Sequence, residues 1–123
     1  MTKSTLRVLI VDDVAAVRSY LKQILVSLGV PDILEAADGT EAASLYHRLQ
    51  PQLVFLDIQL PDINGKELLR QFKSINKSSH IVMVSAFSSV ENLRDSIAAG
   101  ANAFVVKPFS VKRISYLVQP YLN

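Results

Sequence analysis

The chain has 123 residues, half of them hydrophobic and a fifth charged, so it is long enough for one packed domain and too apolar to be disordered. Its 13 basic and 11 acidic residues leave a formal charge of +2, too small and too scattered to argue for a nucleic-acid surface. With no cysteine, a disulfide scaffold and thiolate metal sites are excluded, and the composition suits a reducing cytoplasm.

Leu6 to Val11 is nearly all apolar, the pattern of a strand covered on both faces. Its apolar run stops at Asp12, far short of a signal-peptide core or a membrane span, so no membrane segment is expected. Val17, Leu21, Ile24, Leu25 and Leu28 then form one stripe of a helix, with Gly29 as its stop and Pro31 just beyond. Ile33 to Ala36 is a weak second strand, followed from about Thr40 by a helix turning Ala42, Leu45, Tyr46 and Leu49 inward. Leu53 to Leu56 is a third strand, and the helix after its loop carries Leu68, Leu69, Phe72 and Ile75 on one face. Ile81 to Val84 is a fourth, with Ser88 or Ser89 as N-cap of a helix patterned by Val90, Leu93 and Ile97. Ala103 to Val106 is the fifth, and Ser110 caps a last helix bearing Ile114, Leu117, Val118 and Tyr121.

Five strand–helix alternations with continuous apolar strands imply an α/β fold: a five-stranded parallel sheet flanked by helices on both faces, one domain over residues 1–123. Ligands of such sheets bind beyond the carboxyl ends of the strands, where strand order reverses. The residues there are Asp12 and Asp13 after strand one, Asp57 after strand three, Ser85 and Ala86 after strand four, and Lys107 and Pro108 after strand five. Taken singly, each has a plain reading as a helix cap, a turn residue or a solvated amine. Together, three carboxylates repel one another unless a hard cation such as Mg2+ joins them, and the lysine offsets their charge and can hold an incoming anion. Pro108 fixes a turn, and the Lys107–Pro108 bond can be cis. A metal, a cation and a hydroxyl around one free carboxylate suit phosphoryl transfer to an Asp nucleophile.

The ordered set Asp12-Asp13, Asp57, Ser85 and Lys107-Pro108 resembles the receiver domain of two-component response regulators, the CheY-like family with a flavodoxin-like fold. The stretch Asp57-Ile58-Gln59-Leu60-Pro61-Asp62-Ile63-Asn64-Gly65 is similar to that family's strand-three loop, and Gly100-Ala101 also fits its pattern. The likeness runs from Leu6 to about Leu122. It implies that Asp57 accepts the phosphoryl group and that Asp13 ligates Mg2+, with Asp12 ligating directly or through water and Gln59 through its backbone carbonyl. It further implies that Lys107 pairs with the phosphoryl oxygens, that Ser85 turns its hydroxyl towards them, and that Phe104 swings inward as Ser85 moves. Phe104 stands where the family often has Tyr, and it can equally be plain core. Gln59 and Phe87 stand where the family varies and where phosphoryl lifetime is tuned, and the small Ala86 leaves water a path.

The donor implied is a phosphohistidine on a sensor histidine kinase or phosphotransfer protein. The implied output is a downstream protein partner on the face of the fourth helix, fifth strand and fifth helix, around Ser89 to Ala99 and Lys112 to Leu122, with no direct contact to nucleic acid. On this reading the chain is a cytoplasmic signalling switch and not an enzyme beyond its own phosphorylation and dephosphorylation. Two alternatives stay beside it. A receiver fold kept only for protein interaction would normally lack an acidic residue or the lysine, and none is missing. A Mg2+-dependent phosphohydrolase would place a second Asp two residues after the nucleophile, where Gln59 stands. A nucleotide site is disfavoured because Asp12-Asp13-Val14 replaces the glycine-rich loop it needs. His47 and His80 lie away from the carboxyl edge and read as ordinary surface or core-margin residues.

Overall fold

In the computed structural model, which describes residues 5–86 and 89–122, strands and helices alternate along the chain. The strands are β1 (Arg7–Val11), β2 (Asp32–Ala36), β3 (Leu53–Asp57), β4 (His80–Ser85) and β5 (Ala103–Val106). The helices are α1 (Ala15–Ser27), α2 (Gly39–Leu49), α3 (Gly65–Ile75), α4 (Val90–Ala98) and α5 (Val111–Val118), and a short 3-10 helix follows at Gln119–Tyr121. All strand pairs are parallel, in the order β2-β1-β3-β4-β5. The sheet is the expected flavodoxin-like one. Val11 pairs with Ala36 on one side and Leu56 on the other, so strand order reverses between β1 and β3.

Strand alternation sends successive side chains to opposite faces, and here both faces are apolar. Val8, Ile10, Leu53, Phe55, Val82 and Val84 pack with α1 and α5 through Leu21, Ile24, Leu25, Ile114 and Val118. Leu9, Val11, Val54, Leu56, Ile81 and Met83 pack with α2 and α3 through Ala42, Tyr46, Leu68, Leu69 and Phe72. Burying each of these larger side chains contributes about 1.5–3 kcal/mol before the entropy of ordering is set against it. Tyr46 shows how a polar atom enters such a core. Its ring stacks on Phe72 at 4.0 Å, and its hydroxyl lies 2.6 Å from Ser79 Oγ and 3.2 Å from the Phe72 carbonyl oxygen. Burial pushes the Tyr46 phenol up, and the Ser79 hydrogen bond offsets part of the rise.

Element ends follow local chemistry. Gly29, at φ +90°, ends α1 as the sequence reading expects. α2 begins at Gly39, one residue before the expected Thr40, because Asp38 accepts from the Glu41 N–H while Glu41 accepts from the Ala37 N–H. Asp38 is thus the N-cap, and Glu41 reaches back one residue further, to the N–H before the cap. Ser89 and Ser110 cap α4 and α5, and Ser88 lies outside the described residues. β1 starts at Arg7 instead of Leu6, although Leu6 is buried.

Two of the expected apolar faces lie partly outside the core. Ile75 ends α3 half exposed, beyond the reach of the core. On α4, Val90, Leu93 and Ile97 are 64%, 43% and 52% exposed, and the buried position is Ser96. The helix rests on its small-residue side, Ser96 and Ala99, and its apolar stripe is turned about 120° away from that side. Among the described residues the Ser96 hydroxyl has no hydrogen-bond partner. His47 is exposed, and His80 is half-buried with its ring edge against Tyr121, as surface and core-margin residues would be. Among the described residues no helix is long and apolar enough to cross a membrane.

Candidate functional site

Side chains from the ends of three strands, β1, β3 and β5, converge at the carboxyl end of the sheet. Asp12 follows β1 and is 3% exposed. Its Oδ1 accepts from the Val14 N–H at 2.8 Å, a local turn that serves the start of α1, where Val14 itself has no capping side chain. Arg18 Nη1 donates to the Asp12 carbonyl oxygen at 2.7 Å and fixes the backbone from below. Asp57 ends β3, is 5% exposed, and accepts at Oδ1 from the Gln59 N–H at 3.2 Å. Lys107 reaches in from beyond β5, donating to Asp12 Oδ2 at 2.6 Å and Asp57 Oδ2 at 3.2 Å. Its own N–H donates to the Ser85 carbonyl oxygen at 2.8 Å, which anchors the lysine to the end of β4. The Lys107–Pro108 peptide is cis.

Asp13 is exposed, and one carboxylate oxygen from each of Asp12, Asp13 and Asp57 lies within 4.8 Å of the others. Burial pushes the Asp57 carboxyl above its ordinary value; Lys107 offsets part of that rise and the Asp12 charge adds to it. Burial alone would lower the Lys107 ammonium, but its bonds and charge attraction to Asp12 and Asp57 outweigh it and hold the pKa up. Three carboxylates therefore face one permanent ammonium, and the excess negative charge calls for a cation. The donor set is hard oxygen throughout, which fits Mg2+.

The loop after Asp57 is tightly folded. Gln59 bridges to Asn64, and the Gly65 N–H donates to the Ile58 carbonyl oxygen at 2.6 Å. A Cβ on Gly65 would overlap the Asp57 carbonyl oxygen and lie 2.7 Å from Ile58 Cα. The start of α3 thus rests directly on the backbone of the acidic site.

All the sequence-expected groups except two meet at this end. Asp12, Asp13, Asp57 and Lys107 are in one cluster, and Gln59 is bonded to it. Ser85, buried, ends β4 in register with Val106. Phe104 is apart from the cluster, half-buried against the α2–α3 core, and its carbonyl oxygen accepts from Arg113. Phe87 lies outside the described residues. Two supports were missed by the sequence reading. Arg18 gave a local signal, a cation one turn into the helix after Asp12. Asp62, whose carboxylate accepts from Gly39 and Thr40 on α2, gave none, because its partners are 22 and 23 residues away.

A family profile, "Response regulator receiver domain", matches residues 8–119, nearly the whole chain. The chain belongs to the response regulator receiver domain family. The receiver is 38% identical over 117 residues to the chemotaxis protein CheY of Bacillus subtilis, covering 95% of this chain and 98% of that protein. It is 38% identical over 108 residues to the chemotaxis protein CheY of Thermotoga maritima, covering 88% and 90%. The crystal structure of a CheY-like response regulator receiver domain protein from Methanospirillum hungatei superimposes with a TM-score of 0.90 at 32% identity, covering 95% of this chain and 93% of that one. Receiver domains are switches of two-component signal transduction, and this receiver keeps their fold along its length.

Proposed function

We propose that this receiver, as one domain over residues 1–123 in the cytoplasm, takes a phosphoryl group from a phosphohistidine onto Asp57 in a Mg2+-dependent step and thereby changes its partner-binding face. One observation carries the proposal: a buried carboxylate, pushed up by burial, held between the Lys107 ammonium and the Gln59 N–H beside two further carboxylates. That pairing leaves Asp57 oriented and only partly neutralised, as a nucleophile requires. Asp12, Asp13, Asp57 and the Gln59 backbone carbonyl would hold Mg2+. When bound, the ion supplies charge neutralisation for the three carboxylates and the incoming phosphoryl oxygens.

In the transfer, an Asp57 oxygen forms the new P–O bond while the P–N bond to the donor imidazole breaks, and the imidazole leaves as the neutral base after taking up a proton. Lys107 then pairs with a phosphoryl oxygen, and the Ser85 hydroxyl turns towards the group, letting Phe104 move inward. Attack of water on phosphorus later releases inorganic phosphate and restores the carboxylate. The output face is α4, β5 and α5, where Val90, Leu93, Ile97, Val106 and Tyr116 are exposed apolar residues on neighbouring elements. Such a patch supports a protein partner there.

The deciding experiment is intact mass after incubation with acetyl phosphate, with and without Mg2+, for wild type and Asp57→Ala. One added phosphoryl group that needs Mg2+ and disappears in the variant supports the reading. No adduct from acetyl phosphate, beryllofluoride or a kinase donor would leave a receiver fold that serves binding alone.

A further inference from the structure

α2 already has its own cap. Asp38 accepts from the Glu41 N–H at 2.8 Å, and its carbonyl oxygen accepts from the Ala42 N–H at 3.1 Å. Yet a second carboxylate reaches the same helix start from the loop after β3. Asp62 Oδ1 accepts from the Gly39 N–H at 2.8 Å, and Oδ2 accepts from the Thr40 N–H at 3.0 Å and the Thr40 hydroxyl at 2.9 Å. Free N–H groups at a helix start can be satisfied by water when exposed, and Thr40 is exposed. What Asp62 adds is a tie between two loops at the rim of the acidic site.

The fit between these loops is close. A Cβ on Gly39 would overlap Ile63 Cγ2 and lie 3.2 Å from Asp62 Oδ1, so a side chain there would have to displace Ile63 for the loop to come down on α2. On its other side the same loop is pinned by the Gln59–Asn64 bridge and by Gly65 on the backbone of Asp57 and Ile58. Gln59 is therefore held between two attachments, one at Gly65 and one at Asp62. The hydrogen bonds, that from Gly39 foremost, hold the Asp62 carboxyl below the ordinary carboxylate range, so the tie is charged at neutral pH.

We propose that Asp62 is a positioning residue for the Asp57 site: by clamping the loop of residues 58–64 onto the start of α2, it fixes where Gln59 presents its backbone. This rests on the reading that Gln59 and the three carboxylates hold Mg2+. Asp62 touches none of the reacting atoms and acts through the loop.

The test uses Mg2+ alone as the probe, by calorimetric titration, together with hydrogen exchange of the metal-free protein. Asp62→Ala, at a temperature where circular dichroism shows it folded, is expected to weaken Mg2+ binding by roughly tenfold, the lower end for groups that orient metal ligands. The Gln59 and Gly65 amides exchange faster in that variant even without metal. Asp62→Asn, which keeps one acceptor oxygen for Gly39, falls between the two. Gly39→Ala keeps the carboxylate but pushes Ile63 away, and it carries the test if Asp62→Ala does not fold. Unchanged Mg2+ affinity in the folded variant, whatever its loop exchange, would reduce Asp62 to a redundant helix cap and overturn the proposal. Wild type that binds no Mg2+ overturns the metal-site reading and this inference with it, whereas equal Mg2+ binding by wild type and variants overturns this inference alone.

Discussion

Gly65→Ala tests whether the site depends on a backbone contact. The new Cβ would overlap the Asp57 carbonyl oxygen, lying 2.7 Å from Ile58 Cα and 2.9 Å from the Asp57 carbonyl carbon. All three are main-chain atoms, so no side-chain rotation relieves the overlap. Restoring an ordinary 3.4 Å contact to Ile58 Cα alone requires a retreat of about 0.7 Å, and the carbonyl oxygen demands more. Forced overpacking costs about 1–3 kcal/mol. Losing the Gly65 N–H bond to Ile58 adds roughly 0.5–1.5 kcal/mol. Replacing glycine by alanine in a helix returns up to about 1 kcal/mol, so the net loss is about 2 kcal/mol.

The kinetic effect is larger in proportion. A misplacement of about 1 Å at a reacting group costs on the order of 100-fold, so phosphorylation of Gly65→Ala by acetyl phosphate should slow about 10- to 100-fold. Urea denaturation gives the first number and time-resolved intact mass gives the second. A variant that phosphorylates within about threefold of wild type would refute the claim that this contact sets the Asp57 geometry.

Replacing Leu93 and Ile97 together by Ser should change stability by only about 0.5 kcal/mol per site, since both are exposed, and a loss of several kcal/mol in thermal unfolding would mean that the stripe is core after all. Asp57→Asn should stabilise the metal-free protein at neutral pH. The folded pKa of Asp57 is raised, so stability falls as pH rises from the ordinary carboxylate range through the raised value, and the variant loses that fall; parallel stability–pH curves for wild type and variant would contradict the sign. Lys107→Ala leaves Asp12 and Asp57 without their ammonium and should cost about 2 kcal/mol without metal, less than the full cost for a sealed pair because Lys107 keeps 18% exposure. Mg2+ should restore most of it in thermal melts, and a deficit that Mg2+ leaves untouched would assign Lys107 a packing role.

The carboxyl-edge residues were legible because each terminates an apolar run, and a parallel sheet puts all such ends on one side. Asp12, Asp57, Ser85 and Lys107 could be placed from that rule before any contact was known. The α4 stripe was legible as a face, but its direction was not, for a physical reason. Periodicity shows that Val90, Leu93 and Ile97 share a face, but which way that face turns depends on what the neighbouring elements offer. Here Ser96 and Ala99 let the helix lie close, and the larger side chains stay outside. Asp62 was invisible in a different way: a helix cap is normally sought next to its helix, and this one comes from another loop.

α4 shows how lightly one element can be attached, and Lys66 is one of its few polar ties. Its buried face supplies a serine, whereas α3 supplies Leu68, Leu69 and Phe72. Lys66, next to Gly65, donates to Asn92 Oδ1 and Asp95 Oδ2, both at 3.1 Å, with its side chain only 17% exposed. The residue that fixes the backbone of Asp57 and the residue that grips α4 are thus adjacent on one helix turn. Lys66→Met keeps the stem's apolar packing and removes the ammonium. The partly exposed pair contributes about 0.2–1 kcal/mol, so global stability should drop by no more than that. Local opening of α4 lies nearer the bottom of the stability range, where a loss of this size is a large fraction. Amides of α4 should therefore exchange severalfold faster in Lys66→Met while those of α1 and α5 keep their rates. Equal acceleration across all helices would show a global loss instead, and no acceleration in α4 would show that Ser96 and Ala99 hold the helix without the lysine.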